Sequence, residues 1–248
     1  IPFQSFFHRQ LEGLSCQQSV MVIAHYSENL EWAQKYKKWV YIYHKGFGIE
    51  KNPILSNFNY RNISNVGREG HTYLYYIVNM WNNLPDNIFF TQGNCSSDHR
   101  PFPVETYLIP KKNIPLFMNV WNRGIDFIDY PGGQLKHVGK WKREKKEGQM
   151  SASLTSFRDW WYQYIASKLP MEDESSIEDI FNKWKWSHGA IFSVSKKTIQ
   201  THSLQFYQKL LTNLQRHVNP EEGHFLEKSW FYIFDYDEQK KLAAFYHH

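Results

Sequence analysis

The alternation of apolar and polar positions is clearest in residues 57–94, which predict a loop, a helix and a strand in that order. The loop, residues 65–69, opens an amphipathic helix whose apolar positions recur at helical spacing along one face: Tyr73, Leu74, Ile77, Val78 and Trp81. The apolar run that follows, residues 88–90, is typical of a buried parallel strand and stops at polar residues 91–94. This order indicates half of an α/β unit.

An earlier segment repeats the pattern. Residues 19–25 and 39–44 are apolar runs rich in β-branched or aromatic residues, and residues 30–38 predict a short helix between them. Strand, helix and strand in this order predict two adjacent parallel strands. Further helices are expected at residues 157–168, at 203–216 and near the end of the chain, with one more buried strand at 191–195.

These elements predict an α/β fold, a mixed and mainly parallel sheet flanked by helices. A chain of 248 residues is long enough to bury such a core as one domain. We expect residues 1–18 to form an N-terminal arm and residues 19–248 to form this single domain.

Each predicted parallel strand ends in polar residues, and the helix that follows the loop of residues 65–69 begins beside them. In open α/β sheets, ligands bind at the carboxyl ends of strands and at the amino ends of helices. The sequence therefore predicts a binding edge formed by His25, Tyr26, Glu28, Lys45, Asn65, Gly67, Arg68, Glu69, His71, Gln92, Gly93 and Asn94. The alternative is that these polar strand ends are solvated turns.

Motifs and composition narrow the class of ligand. The chain lacks the glycine fingerprint of a dinucleotide fold and the GxxxxGK phosphate loop, so neither NAD nor ATP hydrolysis is favoured. A net charge of +5 suits an anionic ligand such as a nucleotide diphosphate but is too small to indicate nucleic acid. Aromatic residues make up 18% of the chain, more than a core requires, which favours rings lining a sugar-binding cleft.

Cysteine usage and hydropathy bear on the compartment. Cys16 and Cys95 form no metal-ligand pattern, and no apolar run approaches membrane-spanning length. A reducing, cytoplasmic location is expected, with no membrane span.

Seven blocks of the sequence together resemble a little-characterised domain family of fungi and of large viruses of algae. In order they are VIAHYSENLEW, YIYHKG, NVGREGHTYLYYIV, IFFTQG, HGAIFSVSKKTI, FYQKLL and LEKSWFYIF, within residues 20–234, and N-V-G-R-E is the most specific. That family is similar in outline to GT-A glycosyltransferases, which have a Rossmann-like α/β fold and use nucleotide-sugar donors. The resemblance implies that the protein transfers a sugar from a nucleotide-sugar to a glycan acceptor. In the particular member suspected, a viral enzyme that builds capsid glycans, the sugar would be xylose and the donor UDP-xylose.

The resemblance also implies roles for particular residues. In many GT-A enzymes a late acidic residue is the base, which here implies Glu227 or, failing it, Glu222; His188 is a further candidate. Arg68 would contact the donor diphosphate with help from Lys45 and His71. Trp184 and Trp186 would stack on the acceptor sugar.

The chain departs from the GT-A pattern at the third strand, where Thr91-Gln92-Gly93-Asn94 stands in place of an Asp-x-Asp metal motif. Dependence on Mn²⁺ or Mg²⁺ is therefore left open, and no metal ligand is assigned.

Each role has a structural alternative. Arg68 could pair with Glu69, Glu227 could form a structural salt bridge, and the tryptophans could belong to the core. At the level of the whole protein, the alternatives are a carbohydrate-binding module or a glycan hydrolase that uses no nucleotide-sugar.

Overall fold

The computed structural model describes residues 18–95, 104–108, 115–117, 120–122, 146–166, 181 and 184–234. Over these ranges the chain forms a single α/β domain with a mixed sheet flanked by helices. The predicted fold class is confirmed at this level. The N-terminal arm expected at residues 1–18 lies outside the described residues, Gln18 excepted.

Eight strands are described along the chain. They are β1 Ser19–His25, β2 Val40–His44, β3 Asn59–Asn62, β4 Asn87–Gln92, β5 Leu116–Phe117, β6 Val120–Asn122, β7 Lys185–Ser187 and β8 Phe192–Ser195. Six form one sheet in the order β3-β2-β1-β4-β8-β5, and β6 pairs with β7 separately. Strands β1 to β4 run parallel, whereas β8 runs antiparallel to both β4 and β5. The sheet is therefore mixed, with four parallel strands among which β1 lies between β2 and β4.

Six α-helices accompany the strands. They are α1 Arg68–Met80, α2 Val104–Leu108, α3 Phe157–Tyr164, α4 Lys196–Ile199, α5 Leu204–Asn213 and α6 Glu221–Phe234. The helix expected at residues 30–38 is instead a six-residue 3₁₀ helix, Glu31–Tyr36, and that prediction is corrected. Its first position follows Leu30, whose side chain cannot cap the free backbone N–H groups, and so short a segment favours the tighter helix.

Successive residues of β1 pack against opposite layers. Val22 and Ala24 join the core built on α1, α5 and α6, while Met21 and Ile23 join the core on the other face of the sheet. A strand buried on both faces reads as a continuous apolar run, which is why the sequence pattern finds it. None of the described helices combines the length and the apolar character needed to cross a membrane.

Candidate functional site

The carboxyl ends of the parallel strands meet at one edge of the sheet. In register, His25 of β1 pairs with His44 of β2, His44 pairs with Asn62 of β3, and Ala24 pairs with Gln92 of β4. The amino end of α1, the helix α6 and the 3₁₀ turn His188–Ala190 pack around this edge. The structure thus brings most of the predicted edge residues to one side of the molecule.

The loop before α1 is held in an unusual backbone conformation. Gly67 has φ 60° and Arg68 has φ 51°, so two successive residues are left-handed. A Cβ on Gly67 would lie 2.7 Å from the Cβ atoms of both His71 and Leu214, so only glycine fits there. The Gly67 N–H donates to the carbonyl of His217 at 2.9 Å, and the Arg68 N–H donates to that of Val218 at 3.2 Å.

The buried side chain of Lys45 also holds the loop before α1. Its ammonium donates to the carbonyl oxygens of Val66, at 2.6 Å, and Arg68. Burial lowers the pKa of Lys45 from its usual value to about 7, and the nearby Glu69 carboxylate opposes that shift. The amine predicted to help bind a donor phosphate is thus bonded to protein carbonyls.

Arg68 connects the loop to α6. Its Nη1 lies 2.9 Å from Nε2 of His224, and its Nε lies 3.4 Å from Oε2 of Glu69. His224 is almost fully buried, and the Glu69 side chain is 10% exposed. The pairing of Arg68 with Glu69, the structural alternative considered above, is present, and the guanidinium also has a second, buried partner that the sequence analysis did not name.

Glu227 sits at the other side of His224, one helical turn further along α6. Its Oε1 accepts a hydrogen bond from the backbone N–H of Gly189 at 2.9 Å, and its Oε2 lies 3.9 Å from Nδ1 of His224. Gln92 at the end of β4 donates its Nε2 to the carbonyl of Gly189 at 2.7 Å. The turn residues Gly189 and Ala190 are both left-handed, with φ of 81° and 49°.

The geometry relates the tautomer of His224 to its neighbours. Its Nε2 lies near Nη1 of Arg68, which can only donate, and 3.1 Å from Oδ1 of Asn219, which can only accept. When Nε2 accepts from Arg68, the imidazole proton is on Nδ1, the nitrogen nearer to Glu227. We refer to Glu69, Arg68, His224, Glu227, Gly189 and Gln92 as the edge network.

Two buried polar groups lie beneath the edge network. The Tyr73 hydroxyl is fully buried, with no hydrogen-bond partner among the residues that the structure describes. Burial raises the pKa of Tyr73, and Glu69, Cys95 and Glu227 add to the shift. Burial lowers the pKa of the Lys228 amine, an effect that Glu227 opposes. Buried polar groups in a low-dielectric environment interact strongly with nearby charges, here those of the edge network.

The ends of β1 and β2 form the second part of the edge. His25 and His44 are buried and share a hydrogen bond of 2.9 Å between their Nδ1 atoms, and burial lowers the pKa of His25. The Glu28 carboxylate accepts from the backbone N–H groups of Tyr26, at 2.7 Å, and Ser27. Gly93 lies so close to Glu28 that a Cβ added to this glycine would be 2.6 Å from Oε2 of Glu28.

The exposed predicted residues of the edge are Tyr26, Asn65 and Asn94. They flank the buried histidines and the loop before α1, and no hydrogen bond of their side chains is described.

Residues 21–244 match a protein family model described as a protein of unknown function, DUF3431. The chain belongs to this family. The match includes every residue of the edge network and both left-handed turns of the DUF3431 domain. No curated protein and no solved structure matched the chain.

Four other predicted site residues need comment. Glu222 of the DUF3431 domain is buried in a 2.5 Å ion pair with Arg216, which is not a residue of the edge network, so Glu227 is the better-placed carboxylate. The acceptor-stacking prediction for Trp184 is wrong, because this side chain is fully buried among Phe157, Phe181 and Tyr232.

The side chains of His188 and Trp186 lie outside the described set. Their backbones belong to the turn His188–Ala190 and to β7.

The edge of the DUF3431 domain is rich in titratable groups but offers no metal cluster in its described part. Over those residues, no three His, Cys, Asp or Glu side chains are grouped so as to hold an ion. Among the side chains of the network, His224 is the one that the sequence did not predict. Its one signal is the spacing to Glu227, since residues three apart on a helix lie on the same face.

Proposed function

We propose that this protein is a glycosyltransferase of GT-A type, which transfers a sugar, xylose from UDP-xylose, to a glycan acceptor. The observation that carries the proposal is the edge network. It holds a carboxylate, a histidine and an arginine in contact at the carboxyl edge of a parallel sheet, where α/β proteins bind nucleotides.

Glu227 is the base in this proposal. Its side chain is 11% exposed, and one of its oxygens is oriented by the backbone of Gly189. A carboxylate held in this way can take the proton of an acceptor hydroxyl while the oxygen attacks the anomeric carbon. The bond from that carbon to the diphosphate breaks, and the nucleoside diphosphate leaves with the bonding electron pair. Such direct displacement inverts the anomeric centre.

Arg68 supplies positive charge for the departing diphosphate. Its side chain is 33% exposed and stands at the start of a thirteen-residue helix, where the helix dipole also favours an anion. The guanidinium carries its charge at any accessible pH and binds phosphate oxygens in a fixed geometry. Lys45 contributes indirectly in this proposal, since its amine fixes the loop that carries Arg68.

The first experiment measures the thermal midpoint of the protein with a panel of nucleoside diphosphates and nucleotide-sugars, with and without Mn²⁺. A ligand that binds the folded state raises the midpoint according to its concentration and dissociation constant. We expect UDP-xylose to raise the midpoint, and a further rise with Mn²⁺ would reveal a metal requirement. A flat response to every nucleotide-sugar would contradict the proposal.

Variants separate binding from chemistry. Glu227→Gln should keep the shift caused by UDP-xylose but slow UDP release in a mixture of glycan acceptors by about a hundredfold, as expected for loss of a general base. Arg68→Gln should weaken the shift itself. The exposed Glu147→Gln is the matched control and should behave as wild type. Full UDP release by Glu227→Gln would remove Glu227 from the mechanism.

A glycan hydrolase is the second candidate. Two carboxylates, Glu69 and Glu227, flank the Arg68–His224 contact, and glycosidases use such a pair without any nucleotide. Release of reducing sugar from a glycan in the absence of nucleotide-sugar, abolished by both Glu69→Gln and Glu227→Gln, would favour this candidate. Binding of glycans with neither activity would favour a carbohydrate-binding module.

A further inference from the structure

A cleft of about 490 Å³ opens beside the loop that precedes α1. It lies at the outer end of the sheet edge, where β3 finishes, and it does not include any residue of the edge network. The polar side chains that line it are Arg61, Asn62, Ser64, His71, Tyr75 and Gln215. Its volume is in the range of small-ligand sites and accommodates one or two sugar rings.

The charge of the cleft comes from one residue. Among its described lining residues, Arg61 carries the one full charge, and none is a carboxylate. The Arg61 guanidinium lies over the Tyr75 ring, 5.7 Å from the ring centroid. This cation–π contact helps to orient the guanidinium, which belongs to the exposed strand β3. A planar guanidinium of this kind binds a carboxylate with two parallel hydrogen bonds.

The other lining groups are neutral hydrogen-bonding groups. Asn62 and Gln215 offer amides, Ser64 offers a hydroxyl, and all three are exposed to solvent. His71 is only 3% exposed, and its Nδ1 has no hydrogen-bond partner within the described part of the chain. Burial, aided by the charge of Lys45, lowers the pKa of His71 to about 3, so the imidazole is neutral.

A single guanidinium with several neutral donors and acceptors matches one carboxylate surrounded by hydroxyl groups. A phosphate dianion would require more positive charge, and a neutral sugar would leave the guanidinium unused. We propose that this cleft binds an acidic sugar, a uronic acid unit of a glycan, with Arg61 on the carboxylate and the exposed Asn62, Ser64 and Gln215 near the hydroxyls. The proposal goes beyond the transferase function and does not require it, because it concerns binding alone.

The test is calorimetric titration of the whole chain with a trisaccharide that ends in glucuronate and with the same trisaccharide ending in glucose. The glucuronate ligand should bind, and the glucose ligand should bind at least about tenfold more weakly, as expected for loss of one charged hydrogen-bonding pair. Equal binding of both trisaccharides or no binding of glucuronate would each overturn the proposal. So would binding of inorganic phosphate or UDP that is tighter than that of glucuronate and that Arg61→Gln weakens.

Variants locate the site. Arg61→Gln should weaken glucuronate binding by about tenfold, and Asn62→Asp should do the same because it adds a negative charge to the lining of the cleft at nearly constant shape. Lys197→Gln removes the same charge from an exposed residue elsewhere and should leave the dissociation constant unchanged. Since Arg61 and Asn62 are exposed, both variants should unfold at the wild-type midpoint; unchanged binding in either would contradict the assignment.

The result is independent of the transferase proposal. Glu227→Gln should bind glucuronate as wild type does, whatever its effect on UDP release. Loss of cleft binding with retained response to UDP-xylose would overturn only the acidic-sugar site, and the reverse pattern would overturn only the transferase.

Discussion

Two turns at the sheet edge share one backbone geometry but are fixed by different means. Gly67–Arg68 and Gly189–Ala190 each place a glycine and then a larger residue in the left-handed region, and Arg68 and Ala190 are the two non-glycine residues of this kind in the described chain. The first turn is held by Lys45 and by the backbone of residues 217–218. The second is held by side chains, Gln92 and Glu227.

This difference gives the two turns different roles in the proposed mechanism. The first turn is fixed by the Lys45 amine and by backbone carbonyl groups, none of which reacts in the proposed mechanism, and it presents the charge of Arg68. The second turn is fixed by the carboxylate that we propose as the base, so its position and the orientation of Glu227 depend on each other. Left-handed residues other than glycine cost of order 1 kcal/mol each, and such cost commonly occurs at functional sites.

The largest expected effect is at the first turn. Gly67→Ala adds a Cβ 2.7 Å from two other Cβ atoms in a left-handed conformation, and it should lower the free energy of unfolding by about 3 kcal/mol. The measurement is urea denaturation. Gly148→Ala is the control, because Gly148 has φ 71° and nothing within 4 Å of an added Cβ, so it should show the backbone cost alone, about 1 kcal/mol. Equal losses would mean that the Gly67 contacts relax without cost.

The support from Lys45 predicts a pH dependence. The pKa of Lys45 is lowered to about 7, so above this pH the folded protein releases a proton that the unfolded chain retains. The stability of wild type should therefore rise with pH relative to Lys45→Met, by about 2 kcal/mol in total between pH 8 and 10. Parallel stability curves would show that Lys45 keeps an ordinary pKa. Lys197→Met, at an exposed position, should run parallel to wild type.

The second turn should respond less in stability. Gln92→Met keeps the side-chain length but removes the hydrogen bond to the carbonyl of Gly189, which should cost about 1 kcal/mol in chemical denaturation. Because the turn and Glu227 are connected, UDP release should also fall in this variant. Gln200→Met, at an exposed position, is expected to change neither quantity. A stable Gln92→Met with full activity would mean that the turn is positioned by other contacts.

The smallest effect is expected at Ala190. Ala190→Gly relieves the left-handed backbone but loses one buried methyl group and adds chain entropy to the unfolded state, so the net change should be about 0.5 kcal/mol or less. Ala33→Gly, at a buried position in the 3₁₀ helix Glu31–Tyr36, has no such relief and should cost about 1.5 kcal/mol. Thermal or urea denaturation of the pair gives the difference; similar losses would show that Ala190 carries no strain.

Three of the four parallel strands, β1, β2 and β4, could be predicted because they are buried on both faces of the sheet. β1, β2, β4 and α1 all follow apolar runs or stripes that burial imposes on the sequence. β3 could not be found in this way, since Asn59, Arg61 and Asn62 are exposed at an edge and carry no apolar alternation.

The sequence predicted which candidate residues share the sheet edge better than it predicted the contacts between them. The polar strand ends indicated the edge, and Arg68 and Glu227 were both named from the sequence. The contact of Arg68 with His224 joins residues 156 positions apart, which no local pattern records. The sequence pattern also could not show whether Glu222 or Glu227 is the better candidate for the base. Their environments differ in the folded protein, where Glu222 pairs with Arg216 and Glu227 accepts a hydrogen bond from Gly189.

The short strand β3 has a consequence for how these molecules meet one another at high concentration. A sheet edge with unpaired backbone groups invites a strand of another chain to extend it, and natural proteins discourage this with short strands and charged or polar side chains. β3 has only four residues, with Asn59, Arg61 and Asn62 exposed. This border therefore resists strand-to-strand aggregation, and a substitution there that replaces polar residues with β-branched apolar ones would make the protein prone to fibre-like association.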